Sequence, residues 1–261
     1  MSEDLSASAQ SSLAVLSAAR IALGLTGPSI PTREQLRFQL DHALARDAVH
    51  AAMDAGGLLQ QLQQRGLEGM QLRSAACQDA WPRDRSVYLR RPDLGRSLHE
   101  SSRRELEVTA ENRVERRIVF AIVDGLSALA VERHALPLLD ATLPLLQPED
   151  VGEPICLVRQ GRVAVGDEIG ELLRAELMVL LIGERPGLSA SDSLGVYLTW
   201  QPRRGRTDAE RNCISNVRLE GLSYEIAAQR IAFYVREARW LQTTGIALKE
   251  TAADPATLAL E

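Results

Sequence analysis

The apolar positions of this chain fall into two regimes with different periods. In the first hundred residues they recur at helical spacing: Leu36, Leu40 and Leu44 stand at i, i+4 and i+8, with Ala43 beside them. Thr32-Arg33-Glu34-Gln35 ahead of that stripe fits a capping box, which predicts a helix starting there. An earlier small-residue helix is expected over residues 5–23, broken by Gly27-Pro28 and Pro31. A glutamine-rich helix is expected at 58–65 and a short extended piece at Val87-Tyr88-Leu89. A further helix follows, from the Arg90-to-Arg96 segment to about Leu106. Nothing before residue 110 alternates as a sheet domain does.

From Arg117 onward the apolar residues come in short unbroken runs bounded by turn signals, the pattern of strands buried on both faces. Ile118–Val123, Ile155–Val158, Leu177–Ile182 and Val196–Trp200 read as four strands, with Cys213–Val217 as a fifth. Between them lie helical stretches: Leu126 to Leu146 with Pro137 inside it, where a kink or break is expected, and Asp167–Arg174. A closing helix, Tyr224–Leu241, sets Ile226, Ala227, Ile231, Val235 and Ala238 on one side. Strands alternating with helices call for parallel pairing. The expected class is therefore α/β, a mostly helical region over 1–110 followed by a Rossmann-like parallel-sheet domain over 111–245. A loose tail is expected over 246–261, small and acidic after Thr243.

Composition narrows the function by exclusion. A net charge of -5 and a pI near 5.5 give no basic field for nucleic acid. Residues 1–20 carry neither a basic start nor a long apolar core, so no signal peptide or membrane span is expected. Cys77, Cys156 and Cys213 lie far apart, outside any C-x-x-C, which points to a reducing, cytoplasmic setting without disulfides or a zinc site. Lys249 is the single lysine; the remaining positive charge is arginine. On the Thr32 helix, Arg37, Asp41 and His42 read as a solvated face, and His50 is spaced too far from His42 to build a metal shell.

No G-x-G-x-x-G follows the first strand, and no P-loop occurs. Gly125-Leu126-Ser127-Ala128-Leu129 and Gly187-Leu188-Ser189-Ala190-Ser191 both lack the second glycine of a nucleophile elbow. What remains is a row of loop residues at strand ends: Asp124-Gly125, Arg162-Val163, Glu184-Arg185 and Cys213-Ile214-Ser215-Asn216. Open α/β sheets bind ligands at that edge. Glu184 is a candidate for a general acid or base, for an acceptor of cofactor amides, or for a surface pair with Arg185. Cys213 reads as a reactive thiol or, better, as a packed inert one. Asp124 suits a helix N-cap.

Several of these segments together resemble the small subunit of ethanolamine ammonia-lyase. They are Tyr88-Leu89-x-Arg91-Pro92-Asp93-x-Gly95-Arg96, Val123-Asp124-Gly125-Leu126-Ser127, Asp167-Glu168-Ile169-Gly170-Glu171, Leu181-Ile182-Gly183-Glu184-Arg185-Pro186-Gly187-Leu188, Ser191-Asp192-Ser193-Leu194 and Arg211-Asn212-Cys213-Ile214-Ser215-Asn216. The resemblance runs from about residue 20 to 245. It implies an adenosylcobalamin-dependent lyase that converts ethanolamine to acetaldehyde and ammonia. In that family a large TIM-barrel subunit holds substrate, while the small subunit covers the cofactor and is inactive alone. The cofactor contacts it implies are Val163, Glu184 and Cys213, with no catalytic residue and no metal ligand on this chain. The absent Asp-x-His-x-x-Gly agrees with a cobalamin that keeps its own benzimidazole on cobalt. The implied location is the cytoplasm, with a bacterial microcompartment as the alternative, and no nucleic acid or membrane is implied as partner. Two rival readings stand beside it: a stand-alone enzyme using Asp124 and Glu184 as an acid/base pair, and a non-catalytic docking subunit.

Overall fold

A computed structural model describes residues 28–78, 83–111 and 117–249. The helix expected at 5–23 and residues 250–261 lie outside the described residues. The described residues form seven helices and one six-stranded sheet: α1 (Thr32–His50), α2 (Ala55–Gln64), β1 (Gly69–Arg73), α3 (Arg83–Arg90), α4 (Glu100–Glu111), β2 (Ile118–Val123), α5 (Ala128–Thr142), β3 (Val151–Arg159), α6 (Val165–Leu172), β4 (Leu177–Gly183), β5 (Leu194–Trp200), β6 (Arg211–Val217) and α7 (Tyr224–Leu241). The strands lie in the order β1-β3-β2-β4-β5-β6. The α/β class is thus the observed one.

Two apolar layers sandwich the sheet. In β2 every residue is buried, and the alternation divides it. Ile118, Phe120 and Ile122 face a core completed by α2, α5 and α7, while Val119, Ala121 and Val123 face one completed by α4 and α6. The chain leaves β2 over the first face through α5 and leaves β3 over the second through α6. The carboxyl ends of these neighbouring strands are therefore where the connections diverge, the place where such sheets open a crevice.

The structure corrects the expected topology in three places. Pairing is parallel through β1, β3, β2 and β4, but β5 and β6 run antiparallel. A parallel neighbour needs a crossover of a dozen or more residues, usually helical. The links 184–193 and 201–210 contain no α-helix, so the chain reverses instead. Second, residues 69–73 form an edge strand on β3, within the region read as mostly helical. Third, Val87-Tyr88-Leu89 is the end of helix α3, not an extended piece, and it buries Tyr88 completely.

Other differences are local. The helix expected from Arg96 starts instead at Glu100, after a single 3-10 turn at Leu94–Arg96. Helix α5 runs through Pro137 without ending. Thr32 caps nothing: Pro31 is the N-cap of α1, and no side chain bonds the first turn. The start of the expected tail is ordered, with Leu248 buried and its carbonyl accepting from Asn212 Nδ2 at 2.8 Å. Ile226 is exposed although Ala227, Ile231, Val235 and Ala238 of the same helix are buried. The α1 stripe does not pack on the body either. Leu36, Phe38, Leu40 and Leu44 are all exposed, and Ala48 is the one buried residue of that helix.

Candidate functional site

Of the three residues singled out in the sequence, Val163 and Glu184 lie at the carboxyl edge of the sheet, whereas Cys213, expected in a loop at a strand end, lies inside β6, level with Leu180 in the middle of β4. Val163 follows β3 and is half-buried against the α4–α6 core. Glu184 follows β4, and Cys213 lies in β6 directly opposite Tyr197 of β5. From β3 across β2, β4 and β5 to β6 is four strand spacings, about 19 Å. Helices α4 and α6 cover this face of the inner strands, but Tyr197 is half-exposed, and Cys213 and Ser215 are exposed. The edge therefore opens onto a broad shelf, not a narrow cleft.

Glu184 is not paired with Arg185. Its Oε2 accepts from the Ser193 hydroxyl and from the Asn216 N–H at 3.3 Å. Gly195 lies beneath it; a Cβ there would come within 2.9 Å of Oε1. The loop bringing Ser193 into place is tied down by its neighbours. Ser127 Oγ donates to the Ser191 carbonyl at 2.9 Å, and Arg133 grips Asp192 at 2.8 Å. Sequence reasoning missed the Ser193–Asn216–Gly195 support. Its signal was available: Ser-Asp-Ser-Leu-Gly and C-I-S-N both lie within the segments that carry the family resemblance.

Cys213 differs from the packed cysteine expected, because in this chain it is exposed. Partial burial of the sulfur pushes its thiol up, against a contact from the Tyr197 hydroxyl and with help from the Glu184 charge. A thiol held protonated is a poor nucleophile, so exposure does not make it a catalyst. Cys77 and Cys156 are free and buried.

Asp124 is not the N-cap of α5. Ser127 fills that role, accepting from the Ala130 N–H at 3.2 Å. Asp124 is only 3% exposed. Its Oδ1 accepts from the Gly161 N–H at 3.3 Å, and Arg85 Nη1 stands 3.8 Å from Oδ2. The same Arg85 donates to the carbonyls of Gly125 at 3.0 Å and Val49 at 2.6 Å. This carboxylate joins the ends of β2 and β3, with Arg85 and the Gly161 N–H as its neighbours, and among the described residues no contact pairs it with Glu184.

Burial lifts the Asp124 carboxyl to about 6, against the pull of Arg85 and of neighbouring backbone N–H groups. A raised carboxyl binds its proton more tightly in the folded chain than in the unfolded one. Its contribution to stability therefore falls as pH rises from about 4 to about 6, the reverse of an ion-paired aspartate. Asp124→Asn is expected to flatten that part of the profile. Urea midpoints at pH 4.5 and 6.5 check this; a profile identical to the parent's would refute it.

The chain is thus an α/β protein in which one carboxylate, Glu184, is held in place just beyond the end of β4. Comparison with known proteins gives that class its family. Residues 7–249 match the ethanolamine ammonia-lyase light chain family. The ethanolamine ammonia-lyase small subunit of Pseudomonas paraeruginosa strain PA7 is 55% identical over 245 residues, covering 91% of this chain and 85% of that protein. Those of Azotobacter vinelandii strain DJ and Pseudomonas putida strain F1 are 55% and 53% identical, each over 239 residues, covering 91% of this chain and 86% of each. The chain belongs to the ethanolamine ammonia-lyase light chain family. Among the described residues no helix is long and apolar enough to cross a membrane.

Proposed function

We propose that this chain is the small subunit of an adenosylcobalamin-dependent ethanolamine ammonia-lyase and that its sheet edge covers one side of the cofactor at the junction with a large catalytic subunit. The observation that carries the reading is the shelf itself. Val163 and Glu184 follow β3 and β4 at the carboxyl edge, and Cys213 lies on the uncovered face of β6, with about 19 Å of sheet between β3 and β6. A corrin is a broad disc rimmed with amide arms, which calls for that breadth and for few, well-placed polar groups. The donor set fits: Glu184 offers a carboxylate acceptor to an amide, and Val163 and Cys213 offer apolar contact.

Adenosylcobalamin, when bound, supplies the radical chemistry by homolysis of its cobalt–carbon bond. This chain's residues would orient and shield the cofactor: Glu184 would accept from an amide of it, and Val163 and Cys213 would give apolar contact and exclude water. The exposed stripe of Leu36, Leu40 and Leu44 on α1 gives the large subunit an apolar surface to cover.

Co-expression with a candidate large subunit tests the reading. The purified complex is expected to show the cobalamin absorption spectrum and to turn over ethanolamine, while the isolated chain does neither. A combined Glu184→Ala and Val163→Asp variant is expected to assemble but to bind cobalamin about a hundredfold more weakly. Unchanged affinity with intact assembly would favour a purely docking role.

A further inference from the structure

The two oxygens of the Glu184 carboxylate are treated unequally. Oε2 takes both protein donors, the Ser193 hydroxyl and the Asn216 N–H. Oε1 has no partner among the described residues and lies over Gly195. Three separate features maintain this arrangement. Ser193 is buried at 6% exposure, so its hydroxyl is not a solvated group that happens to be near. Asn216 adopts a left-handed backbone, φ +61°, an uncommon conformation outside glycine. Gly195 leaves the space the carboxylate occupies, since a Cβ there would come within 2.9 Å of Oε1 and the glutamate side chain would have to shift. A surface glutamate needs none of this. Holding one oxygen from two sides turns the other into an acceptor of fixed direction.

We infer that Ser193 is a positioning residue for Glu184, and that Glu184 so held selects a neutral primary carboxamide over a carboxylate at one place on the rim of the bound cofactor. The inference rests on the cobalamin reading above. An ionised carboxylate can only accept, and a carboxamide presents an N–H to it. A carboxylate arm in the same place brings no donor and a second negative charge. The pair therefore distinguishes an amidated corrin from one with that amide hydrolysed, a distinction that shape alone makes poorly because the two groups are nearly isosteric.

The test uses the complex of this chain with its large subunit, titrated with cobalamin and with monocarboxylic acid derivatives in which a single rim amide is hydrolysed. Binding is followed by the absorption change. One derivative is expected to bind about a hundredfold more weakly than cobalamin to the parent complex, and to recover most of that loss in Glu184→Gln, whose amide can donate to it. Ser193→Ala is expected to weaken cobalamin binding about tenfold and to narrow the discrimination; Ser193→Thr, which keeps the hydroxyl, is expected to restore both. All derivatives binding like cobalamin would overturn the selectivity. Glu184→Ala weakening cobalamin while Ser193→Ala changes neither affinity nor discrimination would overturn the positioning role alone. Unchanged cobalamin affinity in Glu184→Ala would overturn the cobalamin reading itself.

Discussion

Asp167→Ala is expected to destabilise the folded chain by about 3–5 kcal/mol, one of the two largest losses anticipated for a single substitution here. Asp167 opens α6, two residues beyond the Val163-to-Val165 turn, and receives both arms of Arg211 at 2.6 and 2.7 Å. Both side chains are buried, at 2% and 3% exposure. Arg211 also donates to Thr199 Oγ1 at 3.0 Å and to the Arg206 carbonyl at 3.0 Å. Removing the aspartate leaves a guanidinium enclosed with neutral acceptors only, and the desolvation it suffered on folding is no longer offset. Asp208, at 3.5 Å, is almost fully exposed and offsets little.

The double variant Asp167→Leu with Arg211→Met separates the pair from its burial. If the loss in Asp167→Ala comes from an orphaned charge, the double variant regains most of it, because two apolar groups need no partner. Equilibrium urea unfolding of the three proteins measures this. A double variant as unstable as Asp167→Ala would mean that packing, not charge, is what the site supplies. The pair has a functional corollary. It ties the start of α6, just past Val163, to the start of β6, which carries Cys213, so its loss is expected to loosen both ends of the shelf together.

Much of this shelf was legible from the pattern of apolar runs. Ile118–Val123 was readable to the residue because a strand buried on both faces has no polar interruptions. Tyr224–Leu241 was equally clear from its apolar face, and the structure adds its cap, Ser223, whose hydroxyl accepts from the Ile226 N–H. The edge strand β1 was not, since Gly69-Met70-Gln71-Leu72-Arg73 buries only Leu72 and its pairing with β3 is set by tertiary contact. The direction of β5 and β6 was recoverable from the helix-free links, had link length been weighed against the need for a crossover. At the site, spacing and family resemblance marked Val163, Glu184 and Cys213, yet no rule of spacing joins Ser193 and Asn216 to Glu184. They meet only because β5 folds back on β4, so a wrong strand direction concealed them. Asp124 misled for a related reason. An aspartate at a strand end usually caps the next helix, and here it faces Arg85 of α3, a helix of which only Val87-Tyr88-Leu89 had been read, and as extended.

Gly183→Ala is the second substitution expected to be severe, and its neighbour in the same motif supplies the control. Gly183 ends β4 with its backbone pressed into the turn that leads from β2 to α5. An added Cβ would lie 2.0 Å from the Ser127 carbonyl oxygen and 2.6 Å from that of Asp124. Both obstacles are backbone, and neither can rotate away. Gly125 completes the fit from the other side: it holds φ +54°, and a Cβ on it would come within 2.2 Å of the Gly183 oxygen. The Gly183 carbonyl meanwhile accepts from the Leu126 N–H at 2.9 Å. Making room would displace Ser127, which both caps α5 and holds the 184–193 loop through Ser191. A loss of about 3 kcal/mol or more follows from overpacking of this kind, together with a loss of cobalamin binding because Glu184 moves with the loop. Gly187, four residues on in Gly-Glu-Arg-Pro-Gly, has its nearest neighbour 3.8 Å from a built Cβ and an ordinary φ, so Gly187→Ala is expected to stay within about 0.5 kcal/mol of the parent. Urea midpoints for the two alanine variants decide the point. Equal stabilities would show that the strand end and the turn can part at little cost, and the fixed position of Glu184 would then need another explanation.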